Sequence, residues 1–372
     1  MAVEPWLRLA LAASSGSRRW HELLREHGGA AVVGALSATA LRDAGITAAE
    51  IDALRNPEPR QLEQARTWLA EPSRMLIGID DPAYPPLLRA IGDAPLALWV
   101  EGSDIARLSA PQLAIVGSRN PTRGGRETAS SFAHYLSEHG LTITSGIAAG
   151  IDAASHEGAL LGGAGTIAVL GSGPDTIYPR ANSSLARRIV ADGLLVSEFP
   201  PGTPPRAQHF PQRNRVIAAL SVGTLVVEAA RRSGSLITAR CAADYGREVF
   251  AIPGSIHNPL AKGCHQLIRQ GAKLVDDVAD ILVELAPLLA LEPAAPRDMP
   301  ALEKQNVALT EQAAYRELLD VLGYEPVAFT TLAQRTRLTT AELSSMLLLL
   351  EFEGLVEALP GGRYSRLSQR GQ

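Results

Sequence analysis

The stretch Leu113 to Asp152 constrains the fold of this chain more than any other, because two short apolar runs each stop in a loop of small residues and pass into a helical pattern. The first run, Leu113 to Val116, ends at Gly117, Ser118, Arg119 and Asn120, and a helix-like segment closing at Gly140 follows it. The second, Leu141 to Thr144, ends at Ser145 and Gly146 and continues through Gly150 to Asp152. Short β-branched runs fit buried strands, and helices between them require right-handed crossovers and hence a parallel sheet. In such a sheet the strand-to-helix loops collect on one edge, where backbone N–H groups at helix starts favour anions. Glycine lets the backbone approach a phosphate, serine adds a hydroxyl donor, and Arg119 offers a planar fork matched to phosphate oxygens.

The alternation continues through Thr166 to Leu170, Leu194 to Glu198, and runs around Val226, Phe250 and Val275, with helical stretches between them that include Asn214 to Ser221. This predicts an α/β domain over residues 73–286 with a Rossmann-like, doubly wound, mostly parallel sheet. Its flanks differ. Residues 1–72 show helical spacing without strand runs (Trp6, Leu7, Leu9, then Trp20, Leu23, Leu24), and Thr47 to Glu50 forms a capping-box pattern. A small helical domain of the sterile-alpha-motif or helix-hairpin-helix kind is expected there. Between Met75 and Gly102 the prolines exclude a long helix and favour a strand, a turn and a second strand. Residues 287–312 turn to proline, alanine and charge, as a linker does. Residues 313–368 read as three helices (Tyr315 to Leu322, Thr331 to Thr336, Thr340 to Phe352) and a β-hairpin around Pro360 and Gly361, a winged-helix-like pattern. The third helix is marked by Glu342, Glu351 and Glu353 where a base-reading helix would carry basic and amide side chains, so protein contact is the better expectation for this domain.

Net charge is −4, yet residues 111–280 hold 16 Lys and Arg against 13 Asp and Glu, nearly all of the positive charge being arginine. Cys241 and Cys264 are the only cysteines, which excludes a disulfide framework. With no basic-then-apolar leader and no run able to span a bilayer, a cytoplasmic protein without a membrane partner is expected. Neither a P-loop, nor a complete G-x-G-x-x-G after a strand, nor a G-x-S-x-G elbow occurs. No cofactor and no metal are expected, since His257, Cys264 and His265 lack the paired spacing of a four-ligand site. Asp152 and His156 share a helix face and could form an acid–base pair; the alternative is that Asp152 caps the helix and His156 lines the loop cleft. A binding protein without catalytic residues is therefore the expectation.

What recurs is equipment for anions. Arg180 and Asn182 follow the third strand beside Tyr178; Phe210, Arg213, Asn214 and Arg215 enter a helix; Gly234 and Ser235 open another. Joined to Gly117, Ser118, Arg119, Ser145, Gly146 and Gly150, these form the candidate nucleic-acid-binding set. One phosphate needs one such loop, whereas several along one edge, interleaved with rings, fit a phosphate chain whose bases stay free to stack: single-stranded nucleic acid.

The motifs IVGSRNPT, TSGIAAGIDAASHEGAL, AVLGSGPDTIYPRAN, HFPQRNRVIAALS and VVEAARRSGSLITARCAADYGREVFAIPGS, in this order between about Asp80 and Asp280, resemble the DNA-processing protein A family (DprA, also called Smf). The resemblance implies a cytoplasmic homodimer that binds incoming single-stranded DNA without strict sequence preference, helps load the RecA recombinase in natural transformation, and has no established catalytic activity. It also implies that Arg119 and Arg180 are the main phosphate contacts. Many members carry lysine at the second position, so arginine keeps the charge there and changes the geometry. The alternative is a nucleotide-processing enzyme of the lysine-decarboxylase-like or phosphoribohydrolase type, which would need G-G-x-G-T-x-x-E. Here Gly223 and Thr224 lack the paired glycine and Glu228 falls one residue late.

Overall fold

The structure, a computed structural model, describes residues 3–13, 18–289 and 313–367. Its first unit, Met1–Glu292, holds a nine-stranded sheet among the described residues, in the order β1-β2-β6-β5-β4-β3-β7-β8-β9. The strands are β1 (Arg74–Gly78), β2 (Ala97–Gly102), β3 (Gln112–Val116), β4 (Thr142–Ser145), β5 (Thr166–Leu170), β6 (Leu194–Ser197), β7 (Gly223–Val226), β8 (Glu248–Ala251) and β9 (Lys273–Leu274). From β6 to β9 all pairings are parallel, while β2 runs antiparallel to β6 and β1 antiparallel to β2.

Alternation along the strands sets the layers. Leu113 and Ile115 enter one core and Ala114 and Val116 another, and β5 likewise sends Ile167 and Val169 to one side and Ala168 and Leu170 to the other. A sheet apolar on both faces must be covered on both. Helices α8 (Arg123–Glu138), α9 (Ile151–Gly162), α10 (Ser183–Asp192) and α14 (Val278–Leu289) supply one cover; α11 (His209–Leu220), α12 (Ser235–Asp244) and α13 (Lys262–Arg269) supply the other.

The chain begins with α1 (Val3–Ala12), α2 (Arg18–His27), α3 (Ala30–Ala35), α4 (Ala38–Asp43), α5 (Ala48–Arg55) and α6 (Pro59–Leu69), and α7 (Pro86–Arg89) lies between β1 and β2. Thr47 and Glu50 form the expected capping box. Trp6, Trp20 and Leu41 share a core with Leu96 and Ala97, and Trp68 meets Trp99 edge-on at 5.7 Å. At Gly78 a Cβ would lie 2.2 Å from the Trp6 ring, so the first strand is glycine where the first helix crosses it. The change near residue 72 is one of secondary structure, across which the apolar core continues.

Among the boundaries that differ from expectation, two bear on the rest of the fold. Helix α11 starts at His209 instead of Asn214, because Pro211 falls in its first turn, where no intrahelical N–H bond is lost. Helix α14 runs through Pro287 to Leu289, so the start of the expected linker is helical, and the rest, 290–312, lies outside the described residues.

The second unit, Pro293–Gln372, contains α15 (Ala313–Leu322), β10 (Val327–Ala328), α16 (Phe329–Thr336), α17 (Thr340–Phe352), β11 (Val356–Leu359) and β12 (Arg363–Arg366). Leu318, Leu322, Leu332, Leu343, Leu347 and Leu350 make its core, and the sheet order is β10-β12-β11. This is the winged-helix arrangement, with a two-residue strand, β10, that the sequence pattern did not announce. Glu342 is spent on the α17 capping box, and Glu353 lies one residue past the helix.

Candidate nucleic-acid interface

Strand β3 has β4 on one side and β7 on the other, so the winding direction reverses there and a crevice opens beyond the carboxyl ends of the strands. A cleft of about 750 Å³ occupies this place. Each strand-end segment contributes: Gly117 and Arg119 after β3, Asp152 after β4, Tyr178 after β5, Phe210, Arg213 and Asn214 after β6, and Gly234 and Ser235 after β7.

The floor is built by close approach. Gly150 has φ +85°, and a Cβ on it would lie 2.4 Å from the Ser118 carbonyl oxygen, which accepts from Ile151 N at 3.1 Å. A Cβ on Gly146 would lie 1.6 Å from Nη1 of Arg213, so this glycine leaves the slot that the guanidinium fills. Arg213 is only 4% exposed and donates from Nη1 to the Val169 carbonyl at 2.9 Å. Burial lowers its pKa to about 10, opposed by the attraction of Asp152, and it remains a cation at neutral pH. For Asp152 burial raises the pKa while Arg213 draws it back. Ile147 is held at φ 56°, an uncommon conformation for a β-branched residue, and its carbonyl accepts from Asn182 Nδ2 at 2.8 Å. Asn182 therefore braces the loop after β4 and does not line the cleft.

Asp152 and His156 do not form an acid–base pair. Asp152 is the second residue of α9, whose N-cap is Gly150, and its carboxylate accepts from Ala148 N at 3.3 Å, tying the preceding loop to the helix. His156 is fully buried and does not line the cleft, contrary to both sequence expectations. Its Nδ1 lies 2.7 Å from Thr166 Oγ1, whose proton goes to the Ile143 carbonyl at 2.6 Å, so the ring must be the donor. Burial first and Arg213 second push its pKa down to about 3, leaving it neutral.

The rim is exposed. The Arg119 guanidinium lies 5.5 Å from the Phe210 ring centroid, and Phe210 in turn lies 5.7 Å from Tyr178, which is 49% exposed. Arg119 and Arg180 are both exposed, and no salt bridge reaches either among the described residues. The Tyr178–Pro179 peptide is cis. Asn214 Nδ2 donates to the Gly234 carbonyl at 3.2 Å, and Ser233 and Ser235 share a hydroxyl bond of 2.7 Å, so α11 and the start of α12 are joined across the cleft wall.

Other candidate residues lie elsewhere. Arg215 points away, paired with Glu198 and 3.7 Å from Asp93, because residues two apart on a helix face in nearly opposite directions. Ser145 is buried and donates to the Ile115 carbonyl at 2.6 Å, and Ser118 accepts from Asn120 N at 3.1 Å within its own loop. The sequence pattern also missed a link behind the rim. The Glu228 carboxylate accepts from Thr122 N at 2.9 Å and from Thr122 Oγ1 at 2.7 Å, fixing the end of the Arg119 loop to the start of α8. A Cβ on Gly125 would lie 2.5 Å from that carboxyl. The signal was present in Thr122 as an N-cap, but its partner lies 106 residues away. His265 Nε2 lies 2.8 Å from the Gly254 carbonyl oxygen and Cys264 is buried; among the described residues no group of three or more ligating side chains could hold a metal, and no helix is long and apolar enough to cross a membrane.

Comparison with known proteins agrees with this fold. The family model for DNA recombination-mediator protein A matches residues 75–286, and that for the DprA winged helix domain matches residues 293–362. Protein Smf of Escherichia coli strain K12 is 42% identical over 367 residues, covering 98% of this chain and 96% of its own. The crystal structure of DNA processing protein A from Streptococcus pneumoniae superposes with a TM-score of 0.67 at 38% identity, over 74% of this chain and 95% of that one. DNA processing protein A of Helicobacter pylori, whose structure is described for its single-stranded DNA binding mode, gives a TM-score of 0.51 at 30% identity over 55% and 93%. The chain belongs to the DNA-processing protein A (DprA/Smf) family.

Proposed function

We propose that the cleft binds single-stranded DNA by its phosphates, in a homodimeric, cytoplasmic protein that helps load the RecA recombinase during natural transformation. The observation that carries the binding step is the rim. Arg119 is an exposed cation beside Phe210, with Tyr178 next to that ring, at the edge where strand-end loops converge; Arg180 is exposed two residues after Tyr178, and no salt bridge reaches either arginine among the described residues. Forked donors hold phosphate oxygens and rings stack on bases of any identity, so the strand is gripped without being read. The Helicobacter pylori relative, described as binding single-stranded DNA, supports the same assignment. The homodimer, the location, RecA and natural transformation come with the family resemblance.

No catalytic residue is assigned. The phosphoribohydrolase alternative would need the glutamate after β7 in the cleft, whereas Glu228 is 9% exposed and accepts two bonds from Thr122. Replacing Arg119 and Arg180 by alanine should weaken single-stranded DNA binding by roughly tenfold or more per lost contact, since a hydrogen bond to a charged group contributes about 1.5–3 kcal/mol. Circular dichroism should be unchanged. Unaltered affinity of the folded double variant in a gel-shift titration would refute the assignment.

A further inference from the structure

A second groove begins where the cleft ends. Ser233, Gly234 and Ile237 border both, so the N-terminal turn of α12 is a saddle between them. Beyond it a depression of about 690 Å³ runs between α12, the start of β8 and α13. Its floor is apolar (Leu236, Ala239, Val249), and Arg231, Arg232, Arg240 and Arg247 line it together with the amides of Gln266 and Gln270. Glu248 is the one carboxylate among its lining residues. Arg231, Arg232 and Arg240 are exposed, and no salt bridge reaches them among the described residues. Arg247 holds the Leu87 carbonyl at 3.4 Å with Nη2, and its Nε is buried without a partner.

We infer that this groove carries the single strand onward from the cleft, as a second stretch of backbone contacts. The inference rests on the cleft binding DNA as proposed above. Three features favour a strand over a small anion. The arginines do not converge on a point: Arg231 and Arg232 precede α12 and Arg240 is its sixth residue, so they are spread over more than one turn, with Arg240 about 8 Å along the axis from the helix start. The groove is open at the saddle to a cleft that already holds cations and rings. Its polar lining consists mostly of forked guanidiniums and amide donors, which suit phosphate oxygens. Exposed Ile237 on the saddle offers an apolar surface to a base as the strand crosses.

The test compares oligothymidylates of about 5 and about 15 nucleotides, within the range of site sizes known for single-strand binders. They are titrated against the full chain, Arg119→Ala, and the triple variant Arg231→Gln, Arg232→Gln, Arg240→Gln. The triple variant should bind the short oligonucleotide within twofold of the unaltered protein and the long one at least tenfold more weakly. Its log–log salt slope for the long oligonucleotide should flatten by about 2, for roughly three lost phosphates. Lysine at all three positions should restore most of the affinity. Equal weakening at both lengths would overturn the groove as a separate track, and so would no weakening at either. A changed mass in sedimentation with unchanged length dependence would mean that a second copy or an acidic protein face occupies the groove, and the inference would fall. If Arg119→Ala leaves the short oligonucleotide bound as before, the cleft assignment itself fails, whatever the triple variant does.

Discussion

Arg119 and Arg213 face the same cleft, yet one is exposed against a ring and the other is 4% exposed, with Asp152 as its counter-charge and the Val169 carbonyl as its hydrogen-bond acceptor. The difference separates two jobs that the sequence gives to one residue type. A guanidinium at the rim keeps its donors for a ligand. One at the floor spends its charge on a buried carboxylate and a carbonyl, and holds the loops after β4 and β5 in place. Removing the first should cost binding alone. Removing the second takes a nearby cation from the buried Asp152 and the donor from the buried Val169 carbonyl, which costs about 1–3 kcal/mol of stability.

The largest effect is expected at Gly146, because an alanine there displaces the Arg213 guanidinium itself. A loss of about 2–5 kcal/mol should follow, from forcing an atom into a filled slot and leaving the buried Val169 carbonyl without its donor, with a fall in Tm of roughly 4–15 °C. Differential scanning calorimetry of Gly146→Ala checks this, and a melt coincident with the unaltered protein would mean that the floor is looser than described. Arg213→Ala should lose somewhat less stability, whereas Arg119→Ala should keep its Tm within a degree or two while losing affinity.

His156 gives a smaller and pH-dependent term. Its native pKa of about 3 lies below the ordinary 6.5, so between these values the unfolded chain binds the extra proton. Stability should be fully present above about pH 6.5 and fall as the pH drops, by at most about 1.4 kcal/mol per unit from this group. Asp152, with a raised pKa, acts in the opposite direction just above its ordinary value, so the net slope is shallower. Urea melts of His156→Gln between pH 4 and 7 should show a flatter dependence than the unaltered protein. An identical slope would remove His156 from the account.

Most of the architecture was legible because periodicity reports burial. The β3 and β4 runs, the glycine loops and the capping box at Thr47 stand where their patterns put them. The parts that were not legible depend on phase and distance. Arg213 and Arg215 are equivalent in composition, and only the helix start at His209, obscured by Pro211, decides which of them meets the cleft. Thr122 and Glu228 are joined through the parallel pairing of β3 with β7, a neighbour relation set by the topological switch and not by any local signal. Ser145 and Asn182 have the right chemistry for phosphate but bond to backbone instead, since a buried hydroxyl or amide takes the nearest carbonyl.

The smallest effect is expected from the second unit. Its α17 carries Glu342 and Glu351 on a leucine-rich helix, so a chain ending at Glu292 should bind single-stranded DNA within a few fold of the whole. That boundary keeps α14, whose Ile281 and Leu285 are buried in the first unit. Loss of binding by a truncated chain that remains folded would give the winged helix a direct part.

The most direct test of the rim as a phosphate-chain site is fluorescence anisotropy with oligonucleotides of increasing length at several salt concentrations, alongside a mononucleotide. Affinity should climb with length and then level off, and it should weaken with salt at a log–log slope near −0.7 for each phosphate neutralised, about −2 for three contacts. Full affinity for one nucleotide, no gain with length and a slope near zero would contradict the account.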